Sequence, residues 1–259
     1  MGTPGALLLT DIRRGTAYVT RAELASLPTP PPTKTFAPVP HAEFVGHIVA
    51  ALRARKIEIQ REDFAVMRGG LMLFGVMDLR HGRKGDGCAA LGLRNSNNKR
   101  LSMEIAVGMR VVVCDNLVFS GDLIALHRRH TGKVNLAGEV KKALDRFTAG
   151  FVNLKHGLAK LKDTAITDDE ARKRILDVLK TGTVPSRFVK EILHHYFEAS
   201  LPAFQPRTLW SLHNAFTLTF RGMSPQIAFA ATTALGQVFE LESAFDDRSN
   251  PRRATALAR

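Results

Sequence analysis

Residues 101–109 read "LSMEIAVGM", and their alternation decides the fold. Every second residue is apolar: Leu101, Met103, Ile105, Val107 and Met109. A period of two is typical of a β-strand that buries one face, whereas a helix would repeat its apolar residues every three or four positions. The segment therefore predicts a half-buried strand.

Four further strand-like runs surround this one, so that the set covers about 64–68, 71–79, 88–94, 101–109 and 110–119. Short turns separate the runs, and strands joined by short turns pair more economically as an antiparallel meander than through parallel crossovers. The last two runs could also form one long strand bent at Gly108. We predict an α+β fold with a meander of about five strands packed with helices, followed by a mostly helical C-terminal half.

Helical patterns precede and follow the strands. A helix is predicted at about His41 to Lys56, and the chain becomes helical again after Gly121. A long helix carries one apolar seam: Val140, Leu144, Phe147, Phe151, Leu154, Leu158 and Leu161. Such a seam is typical of core or of an antiparallel helix contact, and a self-association surface has the same signature.

Local signals divide the chain further. Thr167 and Glu170 form a capping box for a helix that ends at Gly182, Ser186 opens another, and Ser224 with Pro225 begins the last one. We predict an N-terminal segment at 1–40 with a proline-rich tether, a helix plus antiparallel sheet at 41–122, a helical half packing on it at 123–243, and a polar tail at 244–259.

The composition limits the function classes. A chain of 259 residues with 45% hydrophobic residues can bury a sizeable core, and a formal charge of +13 favours a polyanionic partner. Cys88 and Cys114 are interpreted as small buried hydrophobes. No stretch resembles a signal peptide or a membrane span, so we expect a cytoplasmic protein that does not bind membranes. As a separate expectation, we predict that the protein needs no cofactor.

Two hairpin turns, at 80–87 and 94–100, are strongly basic. Because they belong to neighbouring hairpins, we expect them to share one anion-binding surface, to which basic helix faces add. We predict nucleic-acid binding, with single-stranded DNA favoured, because phosphate contacts dominate affinity and need little sequence specificity. The candidate contacts are Arg80, Arg83, Lys84, Arg94, Lys99, Arg100, Arg110, Arg128, Arg129, Lys133, Lys141 and Lys142.

Two other functions compete with this one. Asp78, Glu104 and Asp115 could converge at one end of the sheet and hold Mg²⁺ for phosphodiester cleavage, although the lysine that many nucleases carry two residues after the glutamate is missing. Alternatively, the basic face meets an acidic host protein, with the seam as its partner site. His127 and His130 have a chelating spacing on a helix, but a solvated helix end explains them better, and we predict no metal site.

Three segments, "LGLRNSNNKRLS", "RVVVCDNLVF" and "LWSLHNAFT", carry a resemblance to a known family. Over residues 60 to 240 the chain resembles the phage- and plasmid-associated family classed as domain of unknown function 932. Asp115 departs from the pattern, which more usually has a small or hydroxyl residue there. The matching positions to which the resemblance gives a structural role are Asn95, Ser96, Cys114, Asn116, Thr208, Trp210, Asn214, Ala215 and Thr217.

The resemblance implies a context more than a reaction. It points to prophages and plasmids, where basic non-enzymatic proteins often handle DNA. The predicted layout is also similar, at the level of fold, to single-strand annealing proteins, which oligomerise into rings around a basic groove. That similarity implies a homo-oligomer that promotes annealing or recombination.

Overall fold

The computed structural model describes residues 16–80, 87–111, 116–130, 135–182, 184–221 and 223–239. Its centre is a six-stranded sheet in which every strand is antiparallel to its neighbours and lies beside them in chain order. The strands are β1 (Thr16–Val19), β2 (Glu58–Met67), β3 (Met72–Arg80), β4 (Gly87–Ser96), β5 (Met103–Val111) and β6 (Asn116–Arg128). The predicted antiparallel meander within an α+β fold is confirmed.

The five predicted strands correspond to β2 through β6, with two corrections in the last of them. Arg110 and Val111 belong to β5, which continues through Gly108, and β6 begins at Asn116. β6 continues to Arg128 where a helix was expected after Gly121, because pairing with β5 extends as far as Met103 opposite Arg128. His127 therefore lies on a strand and His130, just after it, is buried, so the expected solvated helix end is wrong.

β1 was not predicted, because its four residues carry no alternation and precede a proline-rich stretch. The helices are α1 (His41–Ala54), α2 (Leu136–Asp163), α3 (Asp168–Lys180), α4 (Val189–Phe197), α5 (Leu209–Phe220) and α6 (Pro225–Val238). Short 3₁₀ helices occupy Ala22–Ser26, Ser186–Phe188 and Pro202–Phe204. Among the helices described, none is long and apolar enough to cross a membrane.

The sequence signals for both ends of α3 are confirmed, whereas Ser186, predicted to open a helix, lies within a 3₁₀ helix and α4 begins at Val189. The Thr167 side chain accepts a hydrogen bond from the backbone N–H of Glu170, whose carboxylate accepts one from Thr167 N–H at 2.7 Å. Gly182 follows α3 with a positive φ of 71°, a conformation that glycine adopts without a steric penalty. Both features stop the chain from extending α3 in either direction.

The helices cover both faces of the sheet. Adjacent residues of β4 show this: the Arg94 guanidinium lies 5.5 Å from the ring centroid of Phe229 on α6, while Asn95 bonds to His41 at the start of α1. Side chains alternate along a strand, so α1 and α6 lie on opposite faces. α2 contacts α1 through Arg55, which bonds to Asp145.

The predicted seam of α2 is core. Val140, Leu144, Phe147, Leu158 and Leu161 are buried, which leaves the exposed lysines of α2 on its outer face. The side chains of Phe151 and Leu154 lie outside the described part of the structure. The seam packs within its own chain, so these five positions offer no surface for self-association or for a host protein.

The proline-rich segment at 27–40, which we call the strap, packs against one end of the sheet. It begins beside the turn between β2 and β3, where a Cβ placed on Gly70 would lie 3.0 Å from Pro28 Cδ. It then contacts the chain after β6, where Ala37 N–H donates to the His130 carbonyl at 3.1 Å. The strap thus connects turns that are far apart in sequence.

A substitution at Gly75 on β3 can test how tightly the sheet packs on the face covered by α1. It pairs with Phe64, and a Cβ at Gly75 would lie 2.6 Å from Phe64 Cδ1. We expect Gly75→Ala to lower the free energy of unfolding by about 1–3 kcal/mol, because overpacking forces the ring to move. Urea denaturation measures this loss.

Gly46 provides the matched control, because a Cβ there meets nothing within 4 Å and the residue is exposed on α1. Gly46→Ala should leave stability unchanged or raise it by up to about 1 kcal/mol through helix propensity. Equal losses in the two variants would contradict the packing described for Gly75.

Candidate nucleic-acid interface

The meander assigns each turn to one of two ends of the sheet. In an unbroken antiparallel series, consecutive connections alternate between ends, so the β2–β3 and β4–β5 turns share one end while the last residue of β3 and the first of β4 lie at the other. The first of these ends also receives the last residues of β6, because Met103 pairs with Arg128. We call it the basic end, and its exposed cations are Lys34, Arg68, Lys99, Arg100, Arg128 and Arg129.

The described residues that flank the two basic turns do not share one surface. Arg80 and Gly87 lie at one end of β4, whose ten residues span roughly 33 Å, and residues 97–100 follow its other end. Sequence proximity suggested one surface, but antiparallel geometry separates these flanking residues. Residues 81–86 lie outside the described part of the chain.

Aromatic contacts join the segments that meet at the basic end. The Lys99 ammonium lies 5.3 Å from the ring centroid of Phe36 in the strap, and the same ring lies 5.3 Å from that of His130. Thr33 and Phe36 form an isolated β-bridge, which places Lys34 at the tip of a tight turn. One buried phenylalanine thus joins the strap segment that carries Lys34, the turn that carries Lys99 and the chain next to Arg129.

Most of these cations lack a counter-ion. Lys34, Arg68, Arg100 and Arg129 are exposed and make no ion pair with the part of the chain that the structure describes. Arg128 differs, because its Nε lies 2.7 Å from a Glu139 carboxylate oxygen. The basic end therefore has an excess of uncompensated positive charge.

The start of α2 adjoins the basic end through the same glutamate. Lys142 Nζ lies 3.6 Å from Glu139, and the hydrogen bond from Arg128 lowers the pKa of this carboxyl below its ordinary value. Lys141 and Lys142 are exposed, as predicted for the outer face of α2. One carboxylate shared by two cations leaves this edge positive.

Arg94 does not join the exposed set. Its side chain is 12% exposed and forms an ion pair with Glu104 on β5, which is 4% exposed. Breaking such a buried pair by removing one partner typically costs about 3–5 kcal/mol. Arg94 and Glu104 thus neutralise each other beneath α6, and Arg94 is not part of the exposed basic surface.

The proposed carboxylate triad is not brought together by the described residues. Asp78 shares its row of the sheet with Ala90 and Gly108, and Glu104 lies four residues from Gly108 along β5, or roughly 13 Å. That separation is too large for one Mg²⁺ ion, whose oxygen ligands lie about 2 Å away. Among the described residues, no three histidine, cysteine, aspartate or glutamate side chains form a metal-binding group.

At the other end of the sheet, Arg80 is paired with Glu58 at 3.1 Å. Several predicted residues lie outside the described part of the chain: Arg83, Lys84, Cys114, Asp115 and Lys133. Arg110 lies on β5, and Asn116 begins β6, but their side chains are not among those described. For all of these the sequence-based expectation stands as a prediction.

The Arg-Asn-Ser segment fixes the strap to the sheet. The Asn95 side-chain amide donates to the Val39 carbonyl and to His41 Nδ1, both at 2.9 Å, while His41 Nε2 donates to the Gly70 carbonyl at 2.9 Å. Asn97 Oδ1 accepts from Val39 N–H at 3.2 Å. Two asparagines therefore hold the backbone of the strap, and a neutral histidine connects it to the β2–β3 turn.

Ser96, next in the segment, is fully buried and donates to Asn98 Oδ1 at 2.6 Å. The same oxygen accepts from Arg100 N–H at 3.2 Å, and Lys99 between them adopts a positive φ of 65°. These bonds set the conformation of the β4–β5 turn. The buried serine thus orients the exposed Lys99 and Arg100.

The third family-like motif lies on α5 and is also internal. Thr208 accepts from Ser211 N–H at 3.2 Å and caps the helix, and the Asn214 amide donates to the Trp210 carbonyl at 2.8 Å. Thr217 donates to the Asn214 carbonyl at 3.1 Å. Trp210, Asn214, Ala215 and Thr217 are all buried, which is consistent with the structural role that the resemblance implied.

Aromatic side chains do not contribute to the interface where the structure describes them. Phe74, Tyr196 and Trp210 are buried, and Phe36 is the ring beneath Lys99. Stacking of bases on exposed aromatic rings is common in proteins that bind single strands. At the basic end, the described residues offer phosphate contacts instead.

Sequence reasoning missed Lys34 and Arg68. Lys34 lies in the strap, whose prolines indicated a tether, and Arg68 precedes Gly69 and Gly70 in the turn after β2. One signal could have found Arg68: in the predicted meander, the β2–β3 and β4–β5 turns must lie at the same end. Lys34 had no such signal, because its position depends on the packing of Phe36.

Comparison with protein families found a match over residues 32–244 to a family described as Domain of unknown function (DUF932). The match begins within the strap and includes β2 through β6 and all six helices. No curated protein and no solved structure matched the chain.

His41 makes stability depend on pH. Burial lowers its pKa to about 4 from 6.5, against the opposing effect of the Gly70 hydrogen bond. The unfolded chain binds the proton more tightly between these values, so stability falls as the pH drops below 6.5, by about 2 kcal/mol at pH 5. Between pH 7 and pH 5, the free energy of unfolding should fall by about 2 kcal/mol less in His41→Gln than in the unmodified protein. Urea denaturation at the two pH values measures this difference.

The control is His47→Gln, a partly exposed histidine of the same helix whose described ion pair is with Glu43. Between pH 7 and pH 5, His41→Gln should lose less stability than this control. An acid loss in His41→Gln as large as in the control would show that His41 is not the buried neutral histidine of this network.

Proposed function

The chain belongs to the family described as domain of unknown function (DUF932), and we propose that it binds nucleic acid, with single-stranded DNA as the expected ligand, through the basic end. The observation that carries the proposal is the convergence of exposed cations from separate segments on one end of the sheet. The strap, the β2–β3 turn, the β4–β5 turn and the end of β6 each supply at least one.

Nucleic acid is the favoured polyanion because its phosphates are closely spaced and mobile enough to meet several cations at once. Each lysine or arginine that neutralises a phosphate releases condensed counter-ions, which drives binding at low salt. The exposed aromatic side chain among the described residues is Tyr18 on β1, outside the segments that supply the cations, so we expect base stacking to contribute little. We therefore expect affinity to depend weakly on base sequence.

The proposal has a wider context that rests on the sequence. A role in annealing or recombination on a phage or plasmid, a cytoplasmic location and assembly into a homo-oligomer remain predictions. The seam of α2 does not supply the oligomer interface at its described positions, which are buried. Any oligomer would therefore form through another surface.

Salt dependence tests the proposal at named residues. For fluorescein-labelled oligo(dT), each single-strand phosphate contact contributes about 0.7 to the slope of log K against log salt concentration. Removing both charges of the β4–β5 turn with Lys99→Ala and Arg100→Ala should reduce that slope by about 1.4 and weaken binding at low salt. Fluorescence polarisation across a salt series measures both quantities.

The matched control replaces Lys173 and Lys190 by alanine, since both are exposed on α3 and α4 and make no ion pair in the described structure. It removes the same net charge and should leave the slope unchanged. If the unmodified protein does not bind the oligonucleotide at low salt, or the two double variants lose affinity equally, the basic end is not the binding site.

A further inference from the structure

β2 has an open edge next to the place where the chain leaves the sheet. β1 pairs with β2 only from Val19 opposite Phe64 to Thr16 opposite Met67. After Val19 the chain enters the 3₁₀ helix at Ala22–Ser26, because Glu23 accepts hydrogen bonds from the Thr20 backbone and hydroxyl at 2.6 and 2.8 Å. The chain therefore stops pairing with β2 after Val19 and does not cover the rest of that strand.

In the range 58–63, β2 pairs on one side only, with β3, and its register shifts at Gln60, which has no partner there. In the described part of the chain, no strand lies along the other side. The open edge extends over roughly 20 Å, and outward N–H and C=O groups on either side of this bulge can accept another strand. Because a bulge limits strand addition, an incoming strand would pair with β2 beside Gln60 and not across it.

A groove runs beside this edge, between β2 and α1. It contains a cavity of about 430 Å³ whose apolar walls are Val49, Ile57 and Ile59. A second cavity of about 310 Å³ continues it along α1, past Ala42 and Gly46. Gly46 leaves the groove open, since even a Cβ there would meet no atom within 4 Å.

Cations line the rim of the groove. Arg53 and Lys56 are exposed and make no ion pair with described residues, and Arg21 forms an ion pair with Glu62. Lys56 has a positive φ of 56° in the turn that connects α1 to β2. A ligand lying in the groove would meet two free positive charges beside an apolar wall.

We propose that the open edge of β2 and this groove bind an extended acidic peptide of a partner protein, which adds to β2 as a strand. Main-chain hydrogen bonds to residues 58–63 would supply affinity, and alternate side chains would enter the groove. Carboxylates of the peptide would meet Arg53 and Lys56. The site is separate from the basic end and does not depend on the proposed nucleic-acid binding.

A second copy of the chain fits the edge less well than an acidic peptide. The open segment reads "EIQRED", and antiparallel pairing of this segment with itself would place Glu58 opposite Asp63. Like charges directly opposite each other destabilise a strand pair. A peptide whose register is not set by β2 can instead direct its carboxylates toward Arg53 and Lys56.

The experiment uses the full chain and three fluorescent eight-residue peptides. One alternates valine and glutamate, the second alternates valine and lysine, and the third is the glutamate peptide with alternate backbone amides N-methylated to remove the donors needed for strand addition. We expect the first to bind at least tenfold more tightly than either of the others. Fluorescence polarisation up to about 1 mM protein covers the weakest specific binding of interest.

Variants locate the site. Arg53→Glu with Lys56→Glu should weaken binding of the glutamate peptide at least fivefold, whereas Lys173→Glu with Lys190→Glu changes the net charge equally at exposed positions on α3 and α4 and should not. Lys99→Ala with Arg100→Ala should leave peptide binding unchanged. Circular dichroism of each variant confirms that the fold is retained.

Three outcomes would overturn the proposal: no binding of the glutamate peptide, equal binding of its N-methylated form, or equal binding of the lysine peptide. Equal losses in the Arg53/Lys56 and Lys173/Lys190 variants would also overturn it, since the attraction would then be nonspecific. Displacement of the peptide by oligo(dT) from the unmodified protein would show that the groove is a nucleic-acid surface instead.

Discussion

Antiparallel pairing in chain order is the constraint on which the structure depends. Each strand from β1 to β6 lies beside its predecessor, so each successive turn comes at the opposite end of the sheet. The β2–β3 and β4–β5 turns meet at one end, where the strap crosses them, while the end of β3 and the start of β4 lie at the other end. The topology alone thus determines which basic segments can act together.

Two adjacent residues of β4 join the layers that surround the sheet. Arg94 faces α6 and is paired with Glu104, while Asn95 faces α1 and bonds to the strap and to His41. A buried ion pair adds little net stability because its desolvation cost is high, but it penalises any register that separates its partners. We infer that this pair fixes the register of β4 on β5, and with it the position of the turn that carries Lys99 and Arg100.

Patterns that depend on a few neighbouring residues were predicted correctly from the sequence. The capping box at Thr167, the seam of α2 and the existence of strand β5 are of this kind. The prediction that β5 is half-buried was wrong, because helices cover both faces of the sheet and Glu104 and Ala106 are as buried as Met103 and Ile105. The second half of β6 was not predicted, because residues 121–128 suit a helix as well as a strand and are fixed by pairing with β5. The same distinction applies to the candidate site. Individual basic residues were recognised from the sequence, but their grouping depends on long-range strand pairing and on the packing of Phe36.

Hydrogen–deuterium exchange with and without oligo(dT) tests the central claim most directly, since it reports both ends of the sheet in one experiment. If the basic end binds nucleic acid, saturating oligo(dT) slows exchange in residues 97–102 and 128–130 and leaves residues 78–80 and 87–89 unchanged. Slower exchange at 78–80 and 87–89 with no change at 97–102 would contradict the account, because the ligand would then lie at the other end of the sheet.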